Sequence, residues 1–132
     1  MPMSNRRASE TRESYEACSF DLSELSMLYG DAGLRTLLAV ALDEFDCQCL
    51  ALDTALGSGQ WTPAAQALHR LTGTAAFFVS DEGTLEPLSR AERALRLGDA
   101  SLIGLALPAA RSTLVALRLA FVRERWESRA AR

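Results

Sequence analysis

Residues 62–78 read TPAAQALHRLTGTAAFF and contain the only histidine of the chain, His69. The stretch predicts an α-helix, because Thr62 is a suitable N-cap and Pro63 would occupy the first helical position, where its missing N–H costs nothing. At about 100° per residue, five apolar positions fall along one line and predict a buried stripe. They are Ala64, Leu68, Leu71, Ala75 and Phe78. His69 is then predicted to point to solvent.

Gly73 follows His69 by four residues and lies on the same face of the predicted helix. A glycine inside a helix costs about 0.5–1 kcal/mol relative to alanine, which this stretch otherwise uses freely. The missing side chain predicts an open surface beside the imidazole, with room for a bulky group or an approaching partner. Ala65, Gln66 and Ala76 are predicted on the same outer face.

The run HRLTGTAA at residues 69–76 resembles the His-x-Leu-Lys-Gly-Ser/Thr-Ala motif of histidine phosphotransfer (HPt) domains, which serve bacterial multistep phosphorelays. Residues 85–99, with Glu92 and a closing Gly98-Asp99, look like the third helix of that family. Residues 28–45 look like its first segment. The resemblance extends over most of the 132 residues. It implies an all-α fold, specifically an antiparallel four-helix bundle with a short extra N-terminal helix.

The same resemblance implies a function for His69. It would accept a phosphoryl group from a receiver-domain aspartate and pass it to another receiver aspartate, as a phosphohistidine carrier without autokinase activity. The implied partners are response-regulator receiver domains and a hybrid sensor kinase. Mg²⁺ would be bound by the partner receiver only, with no cofactor on this chain. The sequence has no Gly-rich phosphate loop, which agrees with a carrier that does not bind ATP.

Thr72 departs from the family pattern, which has lysine at this position. By position on the helix, the neighbours of the phosphoryl group are predicted to be Gln66, Arg70, Thr72 and Gly73. Arg70 is the candidate substitute for the missing lysine charge, since a guanidinium binds phosphoryl oxygens well.

A partner is predicted to dock beside the histidine on Ala65, Ala76 and Phe77, because transient contacts often have a partly apolar centre. The lateral position of Phe77 on the helix fits the core equally well. The connection at residues 79–83 is longer than the family's short turn.

Length and composition favour one helical domain, since leucine and alanine dominate a chain of 132 residues. Residues 1–19 lack apolar periodicity and are predicted to be a flexible tail, followed by the helical domain at residues 20–127 and a C-terminal tail at residues 128–132. Within the domain, a short helix is predicted at residues 20–29, with a break at residues 30–33. A long helix then runs to about Leu56.

The second half of the domain predicts two more helices. The first of these helices has Thr84 as its N-cap and ends at Gly98. The second, which is the last helix of the domain, has Asp99 as its N-cap. Pro108 predicts a kink or a break near Leu107.

The net charge is −3, and the 14 basic residues, all arginine, are scattered, which argues against nucleic-acid binding. A lysine-free chain is consistent with a high-GC bacterial source. Cys18, Cys47 and Cys49 offer no metal-binding spacing, so no metal site is predicted. No signal peptide is recognised, and no stretch is judged long enough to span a membrane. A cytoplasmic location is predicted.

Two alternatives remain open from the sequence. The first is an HPt-like adaptor that binds receiver or kinase domains without being phosphorylated, which the loss of lysine at Thr72 favours. The second is a helical dimerisation or regulatory module in which the motif is a coincidence. A hydrolase is poorly supported, because no serine or cysteine has a second histidine to activate it.

Overall fold

The computed structural model describes residues 20–130, and within them it contains four α-helices and no strand, which confirms the predicted all-α class. The helices are α1 (Ser23–Gly57), α2 (Trp61–Ala76), α3 (Glu82–Leu97) and α4 (Ala100–Ala130). Residues 1–19, predicted to be a tail, lie outside the described residues. The helical backbone continues through residues 128–130, which the sequence analysis assigned to the C-terminal tail.

Helix α1 is interrupted at Gly30, where φ is 72° and ψ is 172°. A positive φ is tolerated by glycine at little cost, so the chain bends there between two helical segments. The break predicted at residues 30–33 is therefore present, and the segment before Gly30 corresponds to the predicted short helix. Just ahead of that segment, Asp21 accepts hydrogen bonds from the backbone N–H and the hydroxyl of Ser23.

Helix α2 begins two residues earlier than the sequence indicated. Gln60 occupies the N-cap position, and no side chain caps the first turn. The prediction of Thr62 as the N-cap is wrong. Pro63 still lies in the first turn, where no intrahelical hydrogen bond needs its missing N–H.

The ends of α3 and α4 follow the local chemistry of the chain. Asp81 caps α3 by accepting from the N–H of Gly83, so the predicted cap at Thr84 is displaced by three residues. Gly98 ends α3 in the left-handed conformation with φ 66°, as predicted for a C-terminal glycine. Asp99 then accepts from the N–H groups of Ser101 and Leu102, which confirms its role as a cap. Helix α4 is one helix through Pro108, without a break.

Each helix packs against two others: α2 against α1 and α3, and α4 against α3 and α1. The core is built of leucine and alanine and includes one aromatic cluster, in which Phe121 contacts Phe20, Phe45 and Phe78 with ring centroids 4.7–5.4 Å apart. Since Phe45 and Phe121 are fully buried, this cluster links α1 to α4 and to the segment that follows α2, where Phe78 lies.

Two ion pairs cross the surface between α1 and α4. Arg118 donates two hydrogen bonds to the carboxylate of Asp46, at 2.8 and 3.2 Å, and Arg111 donates one to Asp53 at 3.1 Å. Because all four side chains are about half exposed, these pairs contribute little to the stability of the fold.

Helix α1 and residues 100–126 of α4 are long and apolar enough to cross a membrane, by length and composition alone. The expectation that no stretch reaches this length is therefore wrong by this criterion. A helix that faces a protein core passes the same test, so the finding does not assign a location.

Candidate functional site

His69 lies in the middle of α2, with 73% of its side chain exposed to solvent. The rest of the ring faces α3, where its Nδ1 atom is 3.2 Å from Oε1 of Glu92. The predicted exposure of the imidazole is therefore observed, and α2 and α3 both hold the ring.

Glu92 is the partner that orients the ring. Its side chain is only 18% exposed, and its second oxygen, Oε2, accepts a hydrogen bond from Nε of Arg96 at 2.9 Å. A carboxylate only accepts hydrogen bonds, so Nδ1 of His69 must donate. In a neutral ring this tautomer leaves the lone pair on Nε2. The two linked hydrogen bonds, from Arg96 to Glu92 and from His69 to Glu92, thus leave a nucleophilic nitrogen at the exposed side of the ring.

Gly73 lies one turn after His69 and is exposed. A Cβ atom built at this position would meet no atom within 4 Å. The predicted open surface beside the imidazole, called the open notch from here on, is therefore present, and no neighbouring helix fills it.

Thr72 uses its hydroxyl within α2. Its Oγ1 donates to the carbonyl oxygen of Leu68 at 2.8 Å, and the side chain is half-buried. The hydroxyl is therefore directed back along the helix, which argues against its prediction as a neighbour of a group on the imidazole. Gln66, also predicted as a neighbour, is exposed one turn before His69 on the same side as Gly73.

A groove of about 490 Å³ runs between α1 and α2 on the side of α2 that carries Gly73. Its floor and walls are largely apolar, and Arg70 and Glu44 provide its charged groups. We call it the α1/α2 groove; its lining includes Leu37, Val40, Glu44, Arg70, Gly73, Thr74 and Phe77. Arg70 therefore lies beside the open notch, on the flank of α2 away from Glu92.

The predicted docking residues separate into two groups. Ala76 is exposed, and Phe77, which lines the α1/α2 groove, is 51% exposed, so both are accessible. Ala65 is fully buried, and its placement on the outer face is wrong. The reason is that Ala65 is rotated about 40° from His69 toward α3, on the flank where Trp61 lies beside Gly98 at the end of α3.

The sequence analysis used Glu92 as part of a family pattern without assigning it a role at the histidine. The sequence held one signal for such a role, because Glu92 directly follows the buried Ala91 and lies at the edge of the buried stripe of α3. A largely buried carboxylate needs a hydrogen-bonding partner, and the partner itself lies 23 residues away on another helix.

The described cysteines, Cys47 and Cys49, are both free. Burial and the nearby carboxylates of Asp46 and Asp53 raise the pKa of the Cys49 thiol to about 11. Among residues 20–126, no group of three or more His, Cys, Asp or Glu side chains could hold a metal ion.

No family model, curated protein or solved structure matches the chain.

Proposed function

We propose that this chain is a histidine phosphotransfer domain that accepts a phosphoryl group on His69 from a receiver aspartate and passes it to another. In this proposal the four helices form an antiparallel bundle, preceded by the short helical segment before Gly30. The cytoplasmic location, the bacterial source, and the absence of nucleic-acid and membrane partners belong to the same proposal.

One observation carries the proposal: the Nδ1 atom of His69 is held by Glu92, while the opposite side of the ring faces solvent beside the open position of Gly73. A histidine kept for packing would be buried. A histidine in a hydrolase would have a serine or cysteine nucleophile within hydrogen-bonding distance. His69 is instead 73% exposed, and its ring is hydrogen-bonded to the carboxylate of Glu92.

Phosphoryl transfer to His69 requires only the imidazole of this chain and the aspartyl phosphate of the receiver. The Nε2 lone pair attacks the phosphorus of an aspartyl phosphate, an N–P bond forms, and the bond from phosphorus to the aspartate oxygen breaks as the carboxylate leaves with its electron pair. The Nδ1 proton stays on the ring, which then carries positive charge. Glu92 stabilises that charge. In the second transfer, an oxygen of the next aspartate attacks the phosphorus, the N–P bond breaks, and the imidazole leaves as a neutral ring.

The partner receiver would supply the aspartate and its Mg²⁺, so the chain itself needs to present only the oriented ring and a surface on which to dock. The α1/α2 groove supports this role, because Phe77 and Val40 expose apolar surface next to Gly73. Arg70 lines the same groove and is the cation we assign to the phosphoryl oxygens. Gln66 would donate its amide N–H from the preceding turn.

A second candidate function is a non-phosphorylated adaptor that binds receiver or kinase domains through the same surface. The structural observation that favours it is Thr72, whose hydroxyl is engaged by Leu68 and which brings no cation to the position where the family has lysine. The two candidates share the docking surface and differ only in chemistry at His69.

The test is a transfer assay with a receiver domain labelled on its aspartate with radioactive phosphate. The proposal expects label on the chain that is stable in alkali and lost in acid, and no label on His69→Gln. Ser112→Ala, an exposed change on α4, is the matched control and should be labelled like the wild type. Binding of the cognate receiver with no label on the wild type would replace the phosphotransfer proposal by the adaptor.

A further inference from the structure

A second groove lies between α3 and α4 and has no part in the site described above. Its volume is about 450 Å³, and we call it the α3/α4 groove. Its lining includes Arg90, Arg93, Leu97, Leu102, Leu105 and Ala106.

The leucines of this groove are unusually accessible. Leu97 is 73% exposed, Leu105 80% and Leu102 42%, and all three lie where the end of α3 meets the start of α4. Scattered exposed leucines are ordinary, but three that line one groove form a continuous apolar surface.

The charge at the rim is positive. Arg90 and Arg93 approach one carboxylate, Glu86, at 3.9 and 3.2 Å, so two guanidinium groups share a single negative charge. No carboxylate is among the residues that line the groove within the described part of the chain. The chain as a whole has a net charge of −3, so the groove rim differs in sign from the average surface. A negatively charged partner would be attracted to this rim.

We propose that the α3/α4 groove binds an acidic amphipathic helix of a partner protein. A groove between two packed helices accepts a third helix whose apolar residues recur every three or four positions. Leu97, Leu102 and Leu105 would contact that apolar face. Carboxylates beside it would pair with Arg90 and Arg93, which present planar donors for such groups.

The groove is separate from the histidine site. On α3, Glu92 and Arg96 face α2, whereas Ala94 and Leu97 line the groove on the side of α4. A helix held in the α3/α4 groove would therefore leave His69 and Gly73 accessible. The proposal does not depend on phosphorylation of His69.

A second copy of this chain fits the groove less well. Four of its acidic residues, Asp43, Glu44, Asp46 and Asp53, lie near each other on α1, but Asp46 and Asp53 already pair with Arg118 and Arg111. Docking α1 of one copy into the α3/α4 groove of the next would be a head-to-tail contact, which produces open chains of molecules unless its rotation closes a ring.

The binding test uses the full chain and a fluorescein-labelled 16-residue peptide, with leucines at every third or fourth position and glutamates beside them. We expect saturable binding that weakens with salt and with glutamine in place of the glutamates. Leu105→Glu and Arg93→Glu should each weaken binding by about tenfold or more, from lost apolar contact and from charge reversal. Leu50→Glu, at a leucine of α1 that is 69% exposed, is the control and should bind like the wild type.

Equal affinity of Leu105→Glu and the wild type would overturn the proposal, as would equal weakening by Leu50→Glu. The occupant is identified by placing the photo-crosslinker benzoylphenylalanine at position 105 of the full chain and mapping the products by mass spectrometry. Crosslinks to the added acidic peptide support the proposal. Crosslinks that persist in its presence and map to residues 1–19, or to a second copy, overturn it.

Discussion

Glu92 on α3 lies 3.2 Å from His69 on α2, and its other oxygen is held by Arg96 at 2.9 Å. The carboxylate is therefore fixed on both sides before any partner arrives. An oriented ring on a rigid pair of helices loses little freedom when it reacts, which is the physical advantage of this arrangement for group transfer.

The first prediction concerns the tautomer of His69. Because Nδ1 donates to Glu92, the neutral ring should carry its proton on Nδ1. Since the chain has one histidine, long-range proton–nitrogen NMR spectra report this ring alone. Glu92→Ala should remove the preference for the Nδ1 proton, whereas Glu92→Gln should retain part of it through the amide oxygen. A neutral wild-type ring protonated mainly on Nε2 would contradict the assigned roles.

The same two variants should differ in phosphotransfer. We expect Glu92→Ala to slow transfer by about tenfold or more, which corresponds to at least ~1.4 kcal/mol in activation free energy, and Glu92→Gln to slow it less. The measurement is the single-turnover rate of label transfer from a receiver. If both variants transfer at the wild-type rate, Glu92 does not position the reacting ring.

Gly73 provides a prediction in which stability and transfer change in opposite directions. Gly73→Leu should block transfer by filling the notch, although either a leucine or an alanine here should raise the free energy of unfolding by about 0.5–1 kcal/mol through helix propensity. Gly104→Ala is the matched control, because its added Cβ also meets nothing within 4 Å, in α4. It should gain similar stability and transfer normally. Urea denaturation and the transfer assay check the two effects separately, and efficient transfer by Gly73→Leu would show that the notch is not used.

Substitutions of Phe121 and Phe77 should affect different properties, the stability of the fold and the binding of a receiver. Phe121 is fully buried in the aromatic cluster, so Phe121→Ala should lower the free energy of unfolding by about 3–5 kcal/mol. Phe77 is 51% exposed, so Phe77→Ala should cost about 1 kcal/mol or less while weakening receiver binding. Thermal denaturation and a receiver titration test the pair. Unchanged receiver affinity in Phe77→Ala would remove it from the docking surface.

The two described cysteines should react at different rates. Cys47 is exposed, whereas Cys49 is half-buried with a thiol pKa raised to about 11 by desolvation and by Asp46 and Asp53. At pH 8 the Cys49 thiolate is scarce, so iodoacetamide should modify Cys47 first. The Cys49 rate should rise as the pH approaches its pKa. Peptide mapping by mass spectrometry measures both rates, and equal rates at pH 8 would contradict the burial of Cys49.

Much of the fold could be predicted from local signals. The period of the apolar residues places the four helices, and Gly30, Gly98 and Asp99 mark boundaries that the structure shows within a residue or two. The helix starts were less predictable, because α2 begins after Gln60 without a side-chain cap and α3 is capped by Asp81, so that the predicted caps Thr62 and Thr84 lie inside the helices. Cap strength depends on where the preceding loop enters the helix, which local sequence does not specify.

In the candidate site, too, some features follow from local sequence and others depend on the neighbouring helices. The exposure of His69 and the open notch at Gly73 follow from the helical period of one segment, because both residues lie opposite its buried stripe. Ala65 was misplaced because a wheel drawn for α2 alone does not show that α3 covers its flank. The number and position of the neighbouring helices decide how wide the buried face is.

By itself, then, the sequence determined the helical class, the main breaks between helices and the solvent-facing position of His69, since each depends on residues close together in the chain. Only the tertiary structure brought Glu92 to His69, placed Arg70 in the α1/α2 groove and joined Leu97, Leu102 and Leu105 into a second apolar groove. The physical reason is that these relationships depend on how helices rotate and pack against each other, and that packing is settled by the whole core at once.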